Sequence, residues 1–234
     1  MSIDRVILFI GPPGSGKGTL SQKCVQKLGW QQISTGDLCR RHIAKQTEIG
    51  KSIDFAIKSG KLVSDGLISQ MVFDWFRQEN IESDVVILDG YPRTVNQAKD
   101  FDELADQLGD SAQVIVVKFV IDDTVVVDRL VNRYICKNKS CQQVYSLSAG
   151  SKLAPQSDMA CDSCGSELIK RKDDNADAIR ERLKVYHLHE SDLISHYVQA
   201  GYEIYEFKSD LPIDQLFTEF AETMGGRAHD SNKK

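Results

Sequence analysis

The residues Gly11-Pro12-Pro13-Gly14-Ser15-Gly16-Lys17-Gly18-Thr19 follow an apolar run, Val6 to Ile10, and precede a stretch suited to a helix. A strand that empties into a glycine-rich turn and restarts as a helix constrains the fold more than any other part of this chain. Glycines let the backbone curl until successive N–H groups point inward at an anion, the helix adds its positive end, and Lys17 supplies a mobile cation. Such a loop binds phosphate. Gly18 departs from the general pattern: a Ser or Thr that would ligate magnesium normally stands there, and here the hydroxyl comes one residue later, at Thr19. A glycine-rich turn alone is weak support. The order strand, loop, Gly-Lys pair, helix separates this one from a merely structural turn.

Short apolar runs alternate with longer helical periodicity along the rest of the chain, the signature of a parallel sheet flanked by helices. The runs are Val6 to Ile10, Gln32-Ile33, Val85 to Leu88, Val114 to Val120 and Tyr202 to Phe207, so five parallel strands are expected. Helices are expected over Thr19 to Leu28, Asp37 to Ser59, Gly66 to Gln78, Val95 to Leu108, Thr124 to Arg133 and Ala176 to Ala200. Right-handed crossovers place helices on both faces. Two regions interrupt the alternation. Residues 34–64 read as a small helical flap punctuated by Gly36, Gly50 and Gly60, and residues 134–172 as an inserted small domain too long for an ordinary connection. The core is then 1–33, 65–133 and 173–220, and 221–234 is expected to be a disordered tail, its last residues small and polar.

With 234 residues the chain can bury a substantial core. Its net charge of −5 argues against a general nucleic-acid footprint, so basic groups must act locally on small anions. No stretch approaches the roughly 20 apolar residues that span a bilayer, and no signal-type region precedes the first strand, which points to a cytoplasmic protein without a membrane partner. In that compartment six cysteines are not read as disulfides. Cys24 and Cys39 stand apart as small apolar residues. Cys136-x4-Cys141 and Cys161-x2-Cys164, with 19 residues between the pairs, form two knuckles able to present four thiolates to one tetrahedral zinc. Redox-active or metal-free thiols are the competing reading.

Val85-Val86-Ile87-Leu88-Asp89 reads as a buried strand ending in a carboxylate where such a fold binds its ligand. Asp89 is placed to hold magnesium, directly or through water, although a strand-terminal Asp can also simply cap the next turn. Gly90-Tyr91-Pro92-Arg93-Thr94 then puts an arginine beside the phosphate loop. Arg40, Arg129, Arg133, Arg171 and Arg182 add further cations. The spacing of Arg129 and Arg133 puts them on one helix face, which by itself suits a solvated charged face equally well.

Together these residues resemble the adenylate kinase family of nucleoside monophosphate kinases. The likeness spans most of residues 5–220 and is carried, in order, by Gly11 to Thr19, Ile33-Ser34-Thr35-Gly36-Asp37, Gly60-Lys61-Leu62-Val63-Ser64-Asp65, and Asp89-Gly90-Tyr91-Pro92-Arg93-Thr94 with Gln97. Asp128-Arg129 with Arg133, Arg171-Lys172-Asp173-Asp174 and Arg180-Glu181-Arg182 complete the series. The resemblance implies a P-loop NTPase fold and reversible, magnesium-dependent transfer of the γ-phosphoryl of ATP to AMP, giving two ADP. It implies that Lys17 and the loop residues Gly14, Ser15, Gly16, Gly18 and Thr19 hold the ATP phosphates, with Arg129, Arg133, Val144, Tyr145 and the backbone of Leu211 also at ATP. Arg40, Arg93, Arg171 and Arg182 gather around AMP and the moving phosphoryl group. Thr35, Lys61, Leu62, Val63, Gly90, Tyr91, Pro92 and Gln97 form the acceptor site.

Within the family the Thr-Gly-Asp at 35–37 and the Arg-Thr at 93–94 look like adenylate kinases rather than uridylate or cytidylate kinases. Tyr91 replaces the usual phenylalanine, Gly66 stands where an acidic residue is common, and Phe207 to Pro212 lacks the usual Asp-Gly. The insertion corresponds to the family's mobile lid, which in some members carries a structural zinc, and the resemblance is compatible with a monomer. Alternatives are another monophosphate kinase, with GTP as donor or CMP or UMP as acceptor, and a zinc-ribbon nucleic-acid-binding ATPase module. The acidic charge and sparse aromatics of the knuckle segment count against the last.

Overall fold

The computed structural model describes residues 3–58, 63–78, 81–108, 112–138, 141–148, 150–171 and 173–225, except for the side chains of 57, 58 and 78. Its chain order is β1 (Arg5–Ile10), α1 (Lys17–Leu28), β2 (Gln31–Ser34), α2 (Thr35–Ala44), α3 (Glu48–Lys58), α4 (Asp65–Gln78), β3 (Val85–Asp89), α5 (Val95–Leu108), β4 (Gln113–Val120) and α6 (Asp123–Val131). Then follow β5 (Arg133–Cys136), β6 (Val144–Ser146), β7 (Leu168–Ile169), α7 (Ala176–Gln199), β8 (Glu203–Lys208) and α8 (Ile213–Thr223). The five expected runs pair as one parallel sheet in the order β2-β3-β1-β4-β8.

Apolar side chains on both faces make that sheet the centre of the molecule. Along β1, Val6, Leu8 and Ile10 enter one core layer with residues of α2 to α5 and α7, while Ile7 and Phe9 enter the other with residues of α1 and α8. Continuous Val, Ile and Leu runs are what a strand buried on both faces requires. Phe9 lies beside Asp89 across the β1–β3 pairing, so the loop after β1 and the carboxylate ending β3 share the carboxyl edge of the sheet. The chain leaves β1 toward β2 and β3 on one side and β4 and β8 on the other. A crevice at that reversal of strand order is where open α/β sheets bind ligands.

Several elements differ from the sequence expectation. The helix expected over Asp37 to Ser59 is two helices, broken at Lys45–Thr47: Gln46 takes φ 52°, and the Thr47 hydroxyl accepts from the Gly50 N–H to start the next helix. Gly50 permits α2 and α3 to meet closely, since a Cβ there would lie 2.1 Å from the His42 carbonyl oxygen. Arg133 is not helical. Asn132 caps α6, its side-chain amide donating to the Asp128 carbonyl and carboxylate, and Arg133 opens β5. The segment expected as an inserted small domain contains a three-stranded sheet, ordered β6-β5-β7 and antiparallel, whose strands the periodicity did not mark. The expected tail begins too early at 221: Ala221 to Thr223 are the last residues of α8, and Met224 is buried against the sheet. The amphipathic spacing of Leu216, Phe220 and Met224 drives this burial. Residues 226–234 lie outside the described residues.

Candidate active site

Gly14 and Gly16 adopt φ of 81° and 91°, the left-handed region that the loop needs in order to curl back on itself. At Gly14 a Cβ would also sit 2.8 Å from Leu130 Cγ, so space and conformation both call for glycine. Gly16 caps α1 with no side-chain partner, which leaves the first N–H groups of the helix directed at the crevice. Lys17 Nζ donates to the carbonyls of Gly11 and Pro12, each at 2.7 Å, and to Ser15 Oγ at 3.2 Å. Burial lowers its pKa to about 8 against the opposing pull of Asp89, and Arg93, Arg182 and Arg133 push in the same direction as burial.

Asp89 ends β3 directly opposite this loop. A Cβ at Gly18 would lie 3.1 Å from Asp89 Oδ2, so the missing hydroxyl side chain at 18 keeps the space in front of the carboxylate open. Burial raises the Asp89 pKa, while Lys17 and Arg93 oppose the rise. An oxygen donor with open space in front of it, across from an anion-binding loop, suits a hard divalent cation.

The remaining cations converge from four elements. Arg93 follows β3, Arg133 opens β5, Arg171 follows β7 and Arg182 lies in the second turn of α7. Burial lowers the Arg171 pKa to about 10, the charges of Arg133 and Arg40 act in the same direction, and its buried Nε has no hydrogen-bond partner among the described residues. Burial likewise lowers the Arg182 pKa. A buried guanidinium with an orphan donor among other arginines fits a polyanionic ligand.

Arg129 and Arg133 part company. Arg129 Nη1 donates to the Ser209 carbonyl at 2.7 Å and so ties α6 to the loop that carries Leu211, whose side chain packs against the core. Arg133 makes a two-pronged pair with Asp174, at 2.7 and 2.6 Å, and Asp174 also takes Arg182 Nη1 at 3.5 Å. The one-face arrangement expected from spacing fails because the helix ends between the two arginines. Arg40 pairs with Asp37 on the exposed side of α2.

On the opposite wall, Thr35 Oγ1 donates to the Gly90 carbonyl at 2.8 Å, and Arg93 Nε donates to the same oxygen at 2.8 Å. Gly90 has φ 81°, and a Cβ there would come within 3.0 Å of both side chains. Gln97 is buried, with Oε1 accepting from the Arg93 N–H at 2.8 Å and Nε2 donating to Asp65 at 2.7 Å. Tyr91 is fully buried, its single hydroxyl proton shared between Ser69 Oγ and the Gln97 carbonyl, each at 3.0 Å, which explains how the extra oxygen of this residue is accommodated. Pro92 is buried beside it and Val63 is partly buried against the core. Lys61 and Leu62 lie outside the described residues.

Cys136, Cys141, Cys161 and Cys164 bring their four sulfurs within 4.8 Å of one another. Cys136 and Cys164 are 3.4 Å apart, and Cys141 and Cys161 3.7 Å. Four thiolates around one tetrahedral zinc, with Zn–S of about 2.3 Å, stand roughly 3.8 Å apart, so the cluster fits such an ion. Burial pushes the Cys136 thiol up to about 12, whereas hydrogen bonding from Ser166 brings Cys164 down to about 6. Tyr145 faces this cluster. Its hydroxyl donates to Cys161 Sγ and accepts from the Asp162 N–H, so its side chain is committed to the cysteine core and only its backbone, with Val144, is left for another contact.

Two residues the sequence reading quoted without a role are Asp174 and Asp65. Each is an acidic residue inside a run that holds a site arginine or lysine, and that proximity was the available signal.

A sequence model of the adenylate kinase family matches residues 9–202. The chain is 37% identical over 213 residues to an adenylate kinase of Thermosipho africanus, covering 91% of this chain and 96% of that one. It is 36% identical over 221 residues to one of Allorhizobium ampelinum, covering 94% and 99%. An archaeal relative, the adenylate kinase of Archaeoglobus fulgidus, is 38% identical over 195 residues, covering 83% and 87%.

Proposed function

Because the chain belongs to the adenylate kinase family, and is on that account a phosphotransferase, we propose that it catalyses ATP + AMP = 2 ADP. The observation that carries the reading is the meeting of Lys17, Arg93, Arg133, Arg171 and Arg182 with Asp89 at the carboxyl edge of the sheet: the charges of Arg93, Arg133 and Arg182 reach Lys17, and those of Lys17, Arg93 and Arg171 reach Asp89. Phosphoryl transfer needs little covalent help from a protein. It needs donor and acceptor aligned in line and the charge on the transferred oxygens neutralised.

In this reading the amides of Gly14 to Thr19 and Lys17 hold the β- and γ-phosphates of ATP, and Lys17 exchanges its bonds to the loop carbonyls for bonds to phosphate. Arg93 and Arg40 bind the AMP phosphate, and Arg171 and Arg182 close on the group in transit. An oxygen of the AMP phosphate attacks the γ-phosphorus, the bond to the β,γ-bridging oxygen breaks, and each product is ADP. Arg129 and Leu211 border the ATP adenine, while Thr35, Val63, Gly90 and Gln97 border the acceptor base. Asp89 would hold a magnesium ion, directly or through water and more than the Thr19 hydroxyl does, and that ion when bound with ATP would neutralise phosphate charge.

Residues 134–172 act as a lid over ATP and 34–64 as the flap over AMP. Closure of such a lid is well known for adenylate kinases in general. The four cysteines hold a structural zinc: with all four positions filled by sulfur none remains for water, and the segment has too small an apolar core to fold well alone. We take the protein to be a cytoplasmic monomer that acts on free nucleotides. Among the described residues no helix is long and apolar enough to cross a membrane.

The test is a panel of ATP or GTP as donor against AMP, CMP, UMP and GMP as acceptors, with magnesium, using purified protein. ADP formation that depends on AMP is expected. Its absence sinks the reading, and faster turnover with CMP, UMP or GTP reassigns the substrate within the same fold.

A further inference from the structure

The amide of Gln97 is held at both ends by groups that cannot exchange roles. Asp65 opens α4, and its carboxylate takes two donors: Gln97 Nε2 at 2.7 Å on one oxygen and Thr94 Oγ1 at 2.8 Å on the other. Thr94 in turn accepts the Gln97 N–H at 3.2 Å. At the other end the Arg93 N–H donates to Gln97 Oε1 at 2.8 Å. An ionised carboxylate only accepts and a backbone N–H only donates. Turning the amide over would set its oxygen against a carboxylate and its NH2 against an N–H, losing both bonds in a residue only 4% exposed.

We propose that Asp65 determines acceptor-base specificity as a positioning residue: it locks the Gln97 amide in the one orientation that matches the hydrogen-bonding edge of adenine. This rests on the reading above that Gln97 borders the acceptor base. Among the described residues the locked amide has one lone pair on Oε1 and one proton on Nε2 still unused, so it presents an acceptor beside a donor in fixed order. Adenine offers the complement, an amino donor at position 6 and a ring acceptor at N1. Hypoxanthine and guanine offer the reverse, a carbonyl at position 6 and N1–H. A free amide could flip to suit either base. This one cannot, so a 6-oxopurine meets two mispaired groups.

Inosine monophosphate is the natural probe, because it differs from AMP only along that edge. The experiment compares kcat/KM for AMP and for inosine monophosphate, with ATP as donor, in wild type, Asp65→Asn and Asp65→Glu. An asparagine at 65 can donate as well as accept, so the flipped amide regains one partner. The preference for AMP should fall about tenfold, mainly through a lower KM for inosine monophosphate, with kcat for AMP changing far less. Asp65→Glu keeps an acceptor-only group and should keep the preference. A preference in Asp65→Asn within about twofold of wild type overturns the proposal, as does an equal loss in Asp65→Glu, which would mark a merely structural role. If Asp65→Asn melts below the assay temperature, Asp65→Ser carries the same expectation, since its hydroxyl can also donate or accept. Wild type without AMP-dependent turnover would instead overturn the reaction itself.

Discussion

In the proposed reaction Lys17 is the residue on which the chemistry most depends, and its ammonium spends all three protons on the loop that carries it. Lys17→Ala should lower kcat on the order of 10²–10³-fold with little change in melting temperature, because it removes charge from the transition state rather than packing. Turnover within a few-fold of wild type would contradict the role. The lowered pKa of about 8 has a second consequence. Phosphate binds the charged form, so the bound-state pKa must lie above the free value and binding takes up a proton once the free amine has lost its own. ATP affinity should therefore be flat below pH 8 and weaken above it, approaching tenfold per pH unit. Calorimetric titration across pH 7–10 reads this directly, and a flat profile would show that the amine is not in the phosphate contact. Individual residues were largely legible: Lys17, Asp89 and the loop glycines stand where the motif puts them. Gln97 was legible only in part, since its partner Arg93 lies in the same motif but Asp65 comes from another stretch of chain.

At the scale of elements, long runs of one periodicity read correctly and junctions did not. The five strands appear within a residue or two of their expected bounds; the inner strands β1, β3 and β4 do so because a strand buried on both faces needs a near-continuous apolar run, while the edge strands β2 and β8 are only partly buried. The break between α2 and α3 has no proline, and it depends on a positive φ at Gln46 and on the close approach at Gly50. Arg133 was misplaced although a local mark was present, since Asn132 is a residue that favours a helix C-terminus and it ends α6. The three-stranded insertion is held by pairing between β5 and its neighbours and by the cysteine cluster, not by a large core. Cys161→Ala should lose bound metal, measured by elemental analysis, and lower the melting temperature by several degrees while changing kcat much less, since metal binding supplies folding energy. Metal-free wild-type protein of undiminished stability would remove the zinc assignment.

In the whole molecule, Asp174 joins the inserted sheet to the core. It is fully buried as a side chain, grips Arg133 at the start of β5 and reaches Arg182 in α7, at the point where the chain returns from the insertion. Asp174→Ala leaves those guanidinium groups uncompensated and should cost about 3–5 kcal/mol in denaturant unfolding. A loss below about 1 kcal/mol would mean that the pair is as weak as an exposed one. By itself the sequence determined the class of fold, the glycine-rich loop after β1, the strand-end carboxylate, the number of strands in the parallel sheet and the four-cysteine knuckles, because each is written in local spacing or periodicity. Tertiary structure alone decided that Arg129 braces a distant loop while Arg133 pairs with Asp174, that Tyr145 turns toward the cysteines, and that the Gln97 amide cannot turn over. Each of those outcomes depends on which groups, remote along the chain, compete for the same hydrogen bond or the same buried space.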